Sequence, residues 1–161
     1  MLSVFNFAGC LRLTRVVRDR DEVERIIMEI EKRIAKALGG NEVLPVDDIN
    51  ILKYRNYLLL QLGKGAVLTG REDFPWEEKY VFGSGSQVEY ELLKKKKPSY
   101  KDEYKLIGIS EEYFDDNDLI AQVERLSDKK RFEISLSWLS VKDEKSKDFL
   151  LLEDFATWVV N

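Results

Sequence analysis

Two helices are predicted in the first part of the chain. From Asp21 onward, apolar residues recur at intervals of three and four with charged residues between them: Val23, Ile26, Ile27, Ile30, Ile34, Ala37 and Leu38. This spacing places the apolar side chains on one helical face, which Asp21 can cap and Gly39 can end. A second, less regular helix is predicted from Asp47 to Leu62. Residues 2–17 contain two short β-type runs that favour a hairpin.

After residue 65 the pattern predicts mostly β-strands. The clearest unit is a hairpin, in which apolar residues alternate with polar ones on both sides of a turn at residues 127–130; these apolar residues are Leu119, Ala121 and Val123, then Phe132, Ile134, Leu136 and Trp138. Residues 79–82 are predicted to form a short strand, and residues 88–94 one or two helical turns. Residues 149–152 and 158–160 are predicted to be two further strands around a single helical turn.

Together these elements predict an α+β fold, with N-terminal helices packed on a small SH3-like β barrel. Residues 1–65 would form a helical and hairpin region, and residues 66–161 the β-barrel region, with Trp158 in the barrel core. We expect one compact unit, because the chain has no internal repeat and no long flexible linker between the two regions.

Composition removes several classes of function. The chain of 161 residues has no histidine, and Cys10 is its single cysteine. The usual imidazole base, the imidazole zinc ligand and the Cys-His nucleophile pair are therefore absent, so we do not expect an enzyme. A net charge of −4 argues against general nucleic-acid binding, and no apolar run is long enough to span a membrane. The unpaired cysteine fits the reducing cytoplasm.

A first acidic cluster could hold a cation. It consists of carboxylates that bracket Phe74, Pro75 and Trp76: Glu72, Asp73, Glu77 and Glu78. Calcium takes six to eight oxygen ligands, and a loop stiffened by proline and an aromatic ring can hold several carboxylates together. The alternative is that Glu77 and Glu78 point to solvent at a strand entrance while Trp76 lies in the core.

A second acidic cluster lies just before the predicted hairpin. Residues 111–118 contain five acids and one amide, and Asp115, Asp116 and Asp118 are the candidate calcium ligands. Such density costs electrostatic free energy unless a cation or water neutralises it. The spacing does not match an EF-hand, because Ile120 stands where an oxygen ligand is needed and no calcium-loop glycine follows. An ordinary solvated acidic loop is the alternative.

The lysines at positions 94–97 form the strongest basic run. They could contact phosphate or an acidic partner. The alternative, favoured by the acids on both sides of the run, is that they pair with neighbouring carboxylates or are simply solvated.

Four motifs carry a family resemblance. They are PWEE-x-Y at residues 75–80, an EY-x-x-LKK and PSY-x-D pair within residues 89–102, the acidic stretch and hairpin at 115–139, and an acidic-aromatic-x-x-W ending at 154–161. Over about residues 50–161 the chain resembles the CcbP-like family of small bacterial calcium-binding proteins. The resemblance does not extend to the first 45 residues, and the chain departs from it at Phe155 and Ser135, where tyrosine and proline are usual.

This resemblance implies a calcium-binding protein of non-EF-hand type with a compact β barrel. With the acidic clusters, it predicts a cytoplasmic calcium buffer or adaptor. The alternative is a metal-free protein-interaction module that docks through the aromatic surface of the barrel or through the amphipathic N-terminal helix.

Calcium should therefore stabilise the chain, because a ligand that binds only the native state raises stability by about 2.7 kcal/mol at 100 times its Kd. A thermal melt of chelator-stripped protein, with and without millimolar calcium, measures the effect, and magnesium serves as the control cation. An unchanged melting temperature in calcium would contradict a strong site.

Overall fold

The computed structural model of the chain describes residues 20–63, 65–113 and 118–161. The predicted hairpin at residues 2–17 lies outside these residues. The described helices and strands are α1 (Arg20–Ala37), α2 (Asp48–Gln61), β1 (Val67–Gly70), α3 (Glu78–Val81), α4 (Gln87–Lys94), β2 (Tyr104–Tyr113), β3 (Leu119–Arg125), β4 (Arg131–Ser135), a 3-10 turn (Leu136–Trp138), β5 (Leu139–Val141) and α5 (Lys147–Val160). None of the described helices has the length and apolar character needed to cross a membrane.

The predictions of α1, α2 and α4 are confirmed. Helix α1 ends just before Gly39, which has a φ of +83° that favours glycine. Asp47 caps α2, since its Oδ1 accepts hydrogen bonds from the backbone N–H groups of Ile49 and Asn50 at 3.0 and 2.8 Å. Local sequence signals therefore determine the limits of these helices.

The strands form one antiparallel sheet in the order β4-β3-β2-β1-β5. The β3–β4 hairpin was predicted, and its register pairs Ala121 with Ile134 and Val123 with Phe132. Leu136 and Trp138 were predicted to extend its second strand, but they lie in the 3-10 turn that leads to β5. The described sheet is open, with β4 and β5 at opposite edges, so the α+β class is confirmed and the closed SH3-like barrel is not.

The prediction of two C-terminal strands around a single helical turn is wrong. Residues 147–160 form one continuous helix, α5. Ser146 caps it by accepting a hydrogen bond from the backbone N–H of Phe149 at 3.2 Å, and no glycine or proline interrupts the segment. Leu152, Phe155 and Ala156 recur at helical spacing on the buried face. A barrel would need a closing strand in this segment.

The predicted strand at residues 79–82 is also wrong, because this segment forms the short helix α3. Its backbone N–H groups at Val81 and Phe82 donate to the carbonyls of Glu77 and Glu78 at 3.0 Å. Gly83, with a φ of +91°, then turns the chain away. Local hydrogen bonds override the β propensity of Tyr80, Val81 and Phe82.

Helix α5 packs on the sheet and on the N-terminal helices, so one core cluster spans Ile30 to Trp158. Trp158 is only 4% exposed, which confirms its prediction as a core residue. Its ring stacks on Tyr54 with centroids 5.0 Å apart, and its Nε1 donates to the carbonyl of Leu44 at 2.8 Å. The C-terminal helix is thereby joined to both α2 and the connection that precedes it.

Candidate functional site

Glu77 is a completely buried carboxylate with hydrogen-bond donors on both oxygens. Oε1 accepts hydrogen bonds from the Tyr90 hydroxyl at 2.9 Å and the Ser99 hydroxyl at 2.6 Å. Oε2 accepts them from the backbone N–H groups of Tyr100 at 2.9 Å and Phe74 at 3.3 Å. A carboxylate has about four acceptor positions, so these donors saturate Glu77. The expectation that Glu77 points to solvent is wrong.

The other carboxylates of the first acidic cluster do not join Glu77. Glu72 and Glu78 are exposed and Asp73 is half-buried, whereas Glu77 lies in the interior. Within residues 20–63, 65–113 and 118–161, no group of three or more carboxylate or thiol side chains is placed to hold a metal ion. The four residues therefore separate into one internal carboxylate and three at or near the surface.

Asp118 is the candidate ligand of the second acidic cluster that the structure describes, since Asp115 and Asp116 lie outside the described residues. Its side chain is buried and accepts hydrogen bonds from the hydroxyl of Ser137 at 2.5 Å and from the backbone N–H of Ser137 at 3.3 Å. Burial raises the pKa of Asp118, and the bonds to Ser137 act in the opposite direction. Asp118 thus ties the start of β3 to the 3-10 turn.

Three aromatic rings cluster beside Glu77. The ring centroid of Tyr90 lies 5.7 Å from that of Trp76 and 5.3 Å from that of Tyr80. Gly85 permits this packing, because a Cβ at that position would lie 2.2 Å from the Tyr80 ring. Burial raises the pKa of Tyr90 to about 12, so its hydroxyl stays protonated and donates to Glu77. Trp76 extends the cluster to the following loop by donating to the carbonyl of Pro98 at 2.7 Å.

Arg125 binds the backbone of the lysine run from inside the protein. Its guanidinium donates to the carbonyls of Lys94 at 2.8 Å, Lys97 at 3.0 Å and Lys95 at 3.3 Å. Asp102 and Asp128 accept its remaining hydrogen bonds at 2.7 to 2.9 Å. A buried cation therefore satisfies the carbonyls at the C-terminal end of α4, where the helix dipole favours positive charge.

Sequence reasoning missed Arg125, although a signal was present. Leu119, Ala121 and Val123 point to the same buried face of β3, and Arg125 is the next residue in that alternation. A charged residue in phase with a buried face must have partners nearby. These partners come from residues 94–102 and Asp128, which no local pattern connects to β3.

The ammonium groups of the lysine run stay on the surface. Among the described residues, no carboxylate forms an ion pair with any of the four lysines at 94–97, whereas Lys79, Lys130 and Lys142 do have such pairs. The Nζ of Lys97 lies 5.6 Å from the Trp76 ring centroid, and that of Lys94 lies 5.5 Å from the Tyr90 centroid. Of the two alternatives for this run, pairing with neighbouring acids is not seen in this part of the chain, whereas the exposure of Lys95, Lys96 and Lys97 is consistent with solvation.

Helix α4 points two aliphatic side chains outward. Val88 is 72% exposed and Leu92, one turn later, is 57% exposed, while Tyr90 on the opposite side is buried against Glu77. Lys95 keeps a helical backbone, and Lys95 and Lys96 follow Leu92 by three and four residues. We call these four residues, Val88, Leu92, Lys95 and Lys96, the α4 stripe.

Comparison with models of known protein families, with curated proteins and with solved structures gave no significant match to this chain. The resemblance to the CcbP-like family therefore stays a prediction from the sequence.

Removing the Glu77 carboxylate should greatly destabilise the fold. Glu77→Ala leaves two hydroxyls and two buried backbone N–H groups without their acceptor, which should lower the free energy of unfolding by at least about 3 kcal/mol. Glu77→Gln is the matched control: its carbonyl can serve the backbone donors and its amide can donate to the hydroxyls, so the loss should be roughly 1 to 2 kcal/mol. Urea unfolding followed by tryptophan fluorescence measures both variants. Equal stability of Glu77→Ala and the wild type would contradict this role.

The raised pKa of Asp118 predicts a pH dependence of stability. The folded state holds the Asp118 proton to a higher pH than the unfolded chain does. The contribution of Asp118 to the stability of the wild type should therefore fall as pH rises from about 4 through the raised pKa. Asp118→Asn keeps an oxygen for Ser137 and removes this titration, so its stability relative to the wild type should increase over that interval. Urea unfolding across the pH range measures the difference, and parallel curves for the two proteins would contradict it.

Proposed function

We propose that this chain is a protein-interaction module whose contact surface is the α3–α4 hairpin, meaning α3, α4 and their connection at residues 82–86. The supporting observation is that α4 exposes Val88 and Leu92 while Tyr90, on the same short helix, is held inside by Glu77. Phe82, at the end of α3, is 76% exposed and adds an aromatic ring. Clustered exposed apolar side chains are typical of protein interaction sites.

The anchoring of the hairpin supports this use. Glu77 holds its first arm to the loop at residues 98–100, and Arg125 holds the carbonyls at the end of its second arm. A surface that is already ordered loses less conformational entropy when it binds a partner. The hairpin can therefore present Val88 and Leu92 in a constant geometry, as expected of a helix face that docks on another protein.

Other exposed apolar surfaces are less suited to a specific proposal. The outer face of α2 carries Ile49, Leu52, Leu59 and Leu60, with Lys53 as the charged residue among them. A groove of about 640 Å³ lies between α1, residues 43–46 and the end of α5. Neither surface combines exposed apolar residues with a run of unpaired charges, so neither indicates the chemistry of an occupant.

Calcium binding stays a prediction from the sequence. Of its seven candidate ligands, Glu77 and Asp118 already accept internal hydrogen bonds, and Asp115 and Asp116 lie outside the described residues. The contacts of Glu77 favour the metal-free alternative, because this saturated carboxylate would have to leave its donors before it could coordinate an ion.

A photo-cross-linking amino acid at position 88 should capture the partner in cells, and the captured protein can then be identified and purified. In titrations with the purified partner, Val88→Ser/Leu92→Ser should weaken binding by at least about tenfold, because two apolar contacts are lost. The matched control is Met28→Ser/Leu150→Ser, which changes two side chains of comparable exposure, 51% and 47%, on other helices.

Circular dichroism melts establish that both double variants remain folded. Equal binding of the purified partner by the wild type and by Val88→Ser/Leu92→Ser would contradict the proposed surface. Binding lost only in the control variant would place the contact on α1 or α5 instead.

A further inference from the structure

We infer that the partner segment recognised by the α4 stripe is acidic, with carboxylates set beside apolar residues. This inference rests on the proposed function and specifies the chemistry of the partner. Val88 and Leu92 would contact the apolar residues, and Lys95 and Lys96 would contact the carboxylates.

The fold does not use the lysine side chains to close α4. The carbonyls at this helix end are bound by Arg125 and, at Lys95, by the Nζ of Lys130 at 2.5 Å. Asp102 and Asp128 balance Arg125 in turn. The carbonyls at this end of α4, where the helix dipole places partial negative charge, are therefore bound by cationic side chains from outside the helix and the lysine run.

The segment from α3 through the lysine run is locally basic on an acidic chain, because of the lysines that follow α4. Residues 76–101 contain six lysines and four glutamates, whereas the whole chain has a net charge of −4. Glu77 is buried, and Glu89 pairs with Lys79 at 3.5 Å, so neither glutamate is available to the lysine run. Four consecutive lysines repel one another, and carboxylates of a partner would offset that repulsion.

The stripe fits an acidic protein segment better than a phosphate polymer. Nucleic-acid binding depends on an extended basic field, but the lysine run belongs to a chain with a net charge of −4. Phosphate groups would also leave Val88 and Leu92 without an apolar contact. An amphipathic segment with acidic residues one turn from apolar residues matches both halves of the stripe, and the exposed lysines should make its binding salt-dependent.

A random peptide library displayed on phage and panned against the intact protein tests this directly. The selected peptides should be enriched in Asp and Glu near apolar residues. In fluorescence titrations of those peptides, Lys95→Gln/Lys96→Gln should weaken binding by about fivefold or more, and raising the salt from about 50 to 500 mM should weaken binding to the wild type. The control, Lys32→Gln/Lys36→Gln, changes two exposed lysines of α1 and should leave the affinity within about twofold of the wild type.

The outcomes separate the inference from the function on which it rests. If the selected peptides require Val88 and Leu92 but carry no excess of acidic residues, and Lys95→Gln/Lys96→Gln does not change their affinity, the inference of an acidic partner is wrong. That result would not contradict the proposed contact surface. Peptides that bind Val88→Ser/Leu92→Ser as tightly as the wild type would overturn the contact surface itself. Displacement of the peptides by RNA or heparin at equal concentration of charge would overturn the preference for a protein segment.

Discussion

The position of the hairpin depends on a carboxylate that has lost all contact with water. Burying a charged group is costly unless donors replace the lost solvent, and Glu77 obtains four of them from three separate parts of the chain. The segment before α3, helix α4 and the loop at residues 98–100 must therefore come together for any one of the hydrogen bonds to be useful. This mutual dependence gives Glu77 a structural role, while its assignment as a calcium ligand stays a prediction from the sequence.

Arg125 also holds α4 in place, with the opposite charge to that of Glu77. It joins the C-terminal end of α4 to β3, so the helix is held near its middle, through Tyr90, by a buried anion and at its C-terminal end by a buried cation. With its inner side occupied in this way, α4 must direct Val88 and Leu92 to solvent. The side chains of the lysines that follow are not needed to bind the nearby carbonyls, because other cationic side chains already bind them. The α4 stripe is therefore exposed as a consequence of the hydrogen bonds that the buried charged groups make on the inner side of the helix.

The elements predicted correctly are those whose signals are local. Helices α1 and α2 follow from apolar periodicity and caps, and the β3–β4 hairpin follows from alternation around a turn. Helix α5 was missed because its Leu and Val runs resemble strands, and the cap at Ser146 was the signal against that interpretation. The burial of Glu77 could not be predicted, because two of its donors, Ser99 and Tyr100, lie 22 and 23 residues further along the chain. No local pattern links residues at that separation, and the same holds for Arg125 and the carbonyls at residues 94–97.

Helix α4 is firmly held and presents an apolar outer face, even though it is only eight residues long. An isolated helix of that length is not stable in water, so its order must come from contacts with the rest of the protein: the two buried charges and the packing of the Tyr90 ring on its aromatic neighbours. Amide hydrogen exchange of the unmodified protein, followed by mass spectrometry, tests this most directly. We expect the protection factors of the amides of residues 90–94 to lie within about tenfold of the protection factors in α5. Exchange of these amides at the rate of an unfolded peptide, while α5 stays protected, would contradict it.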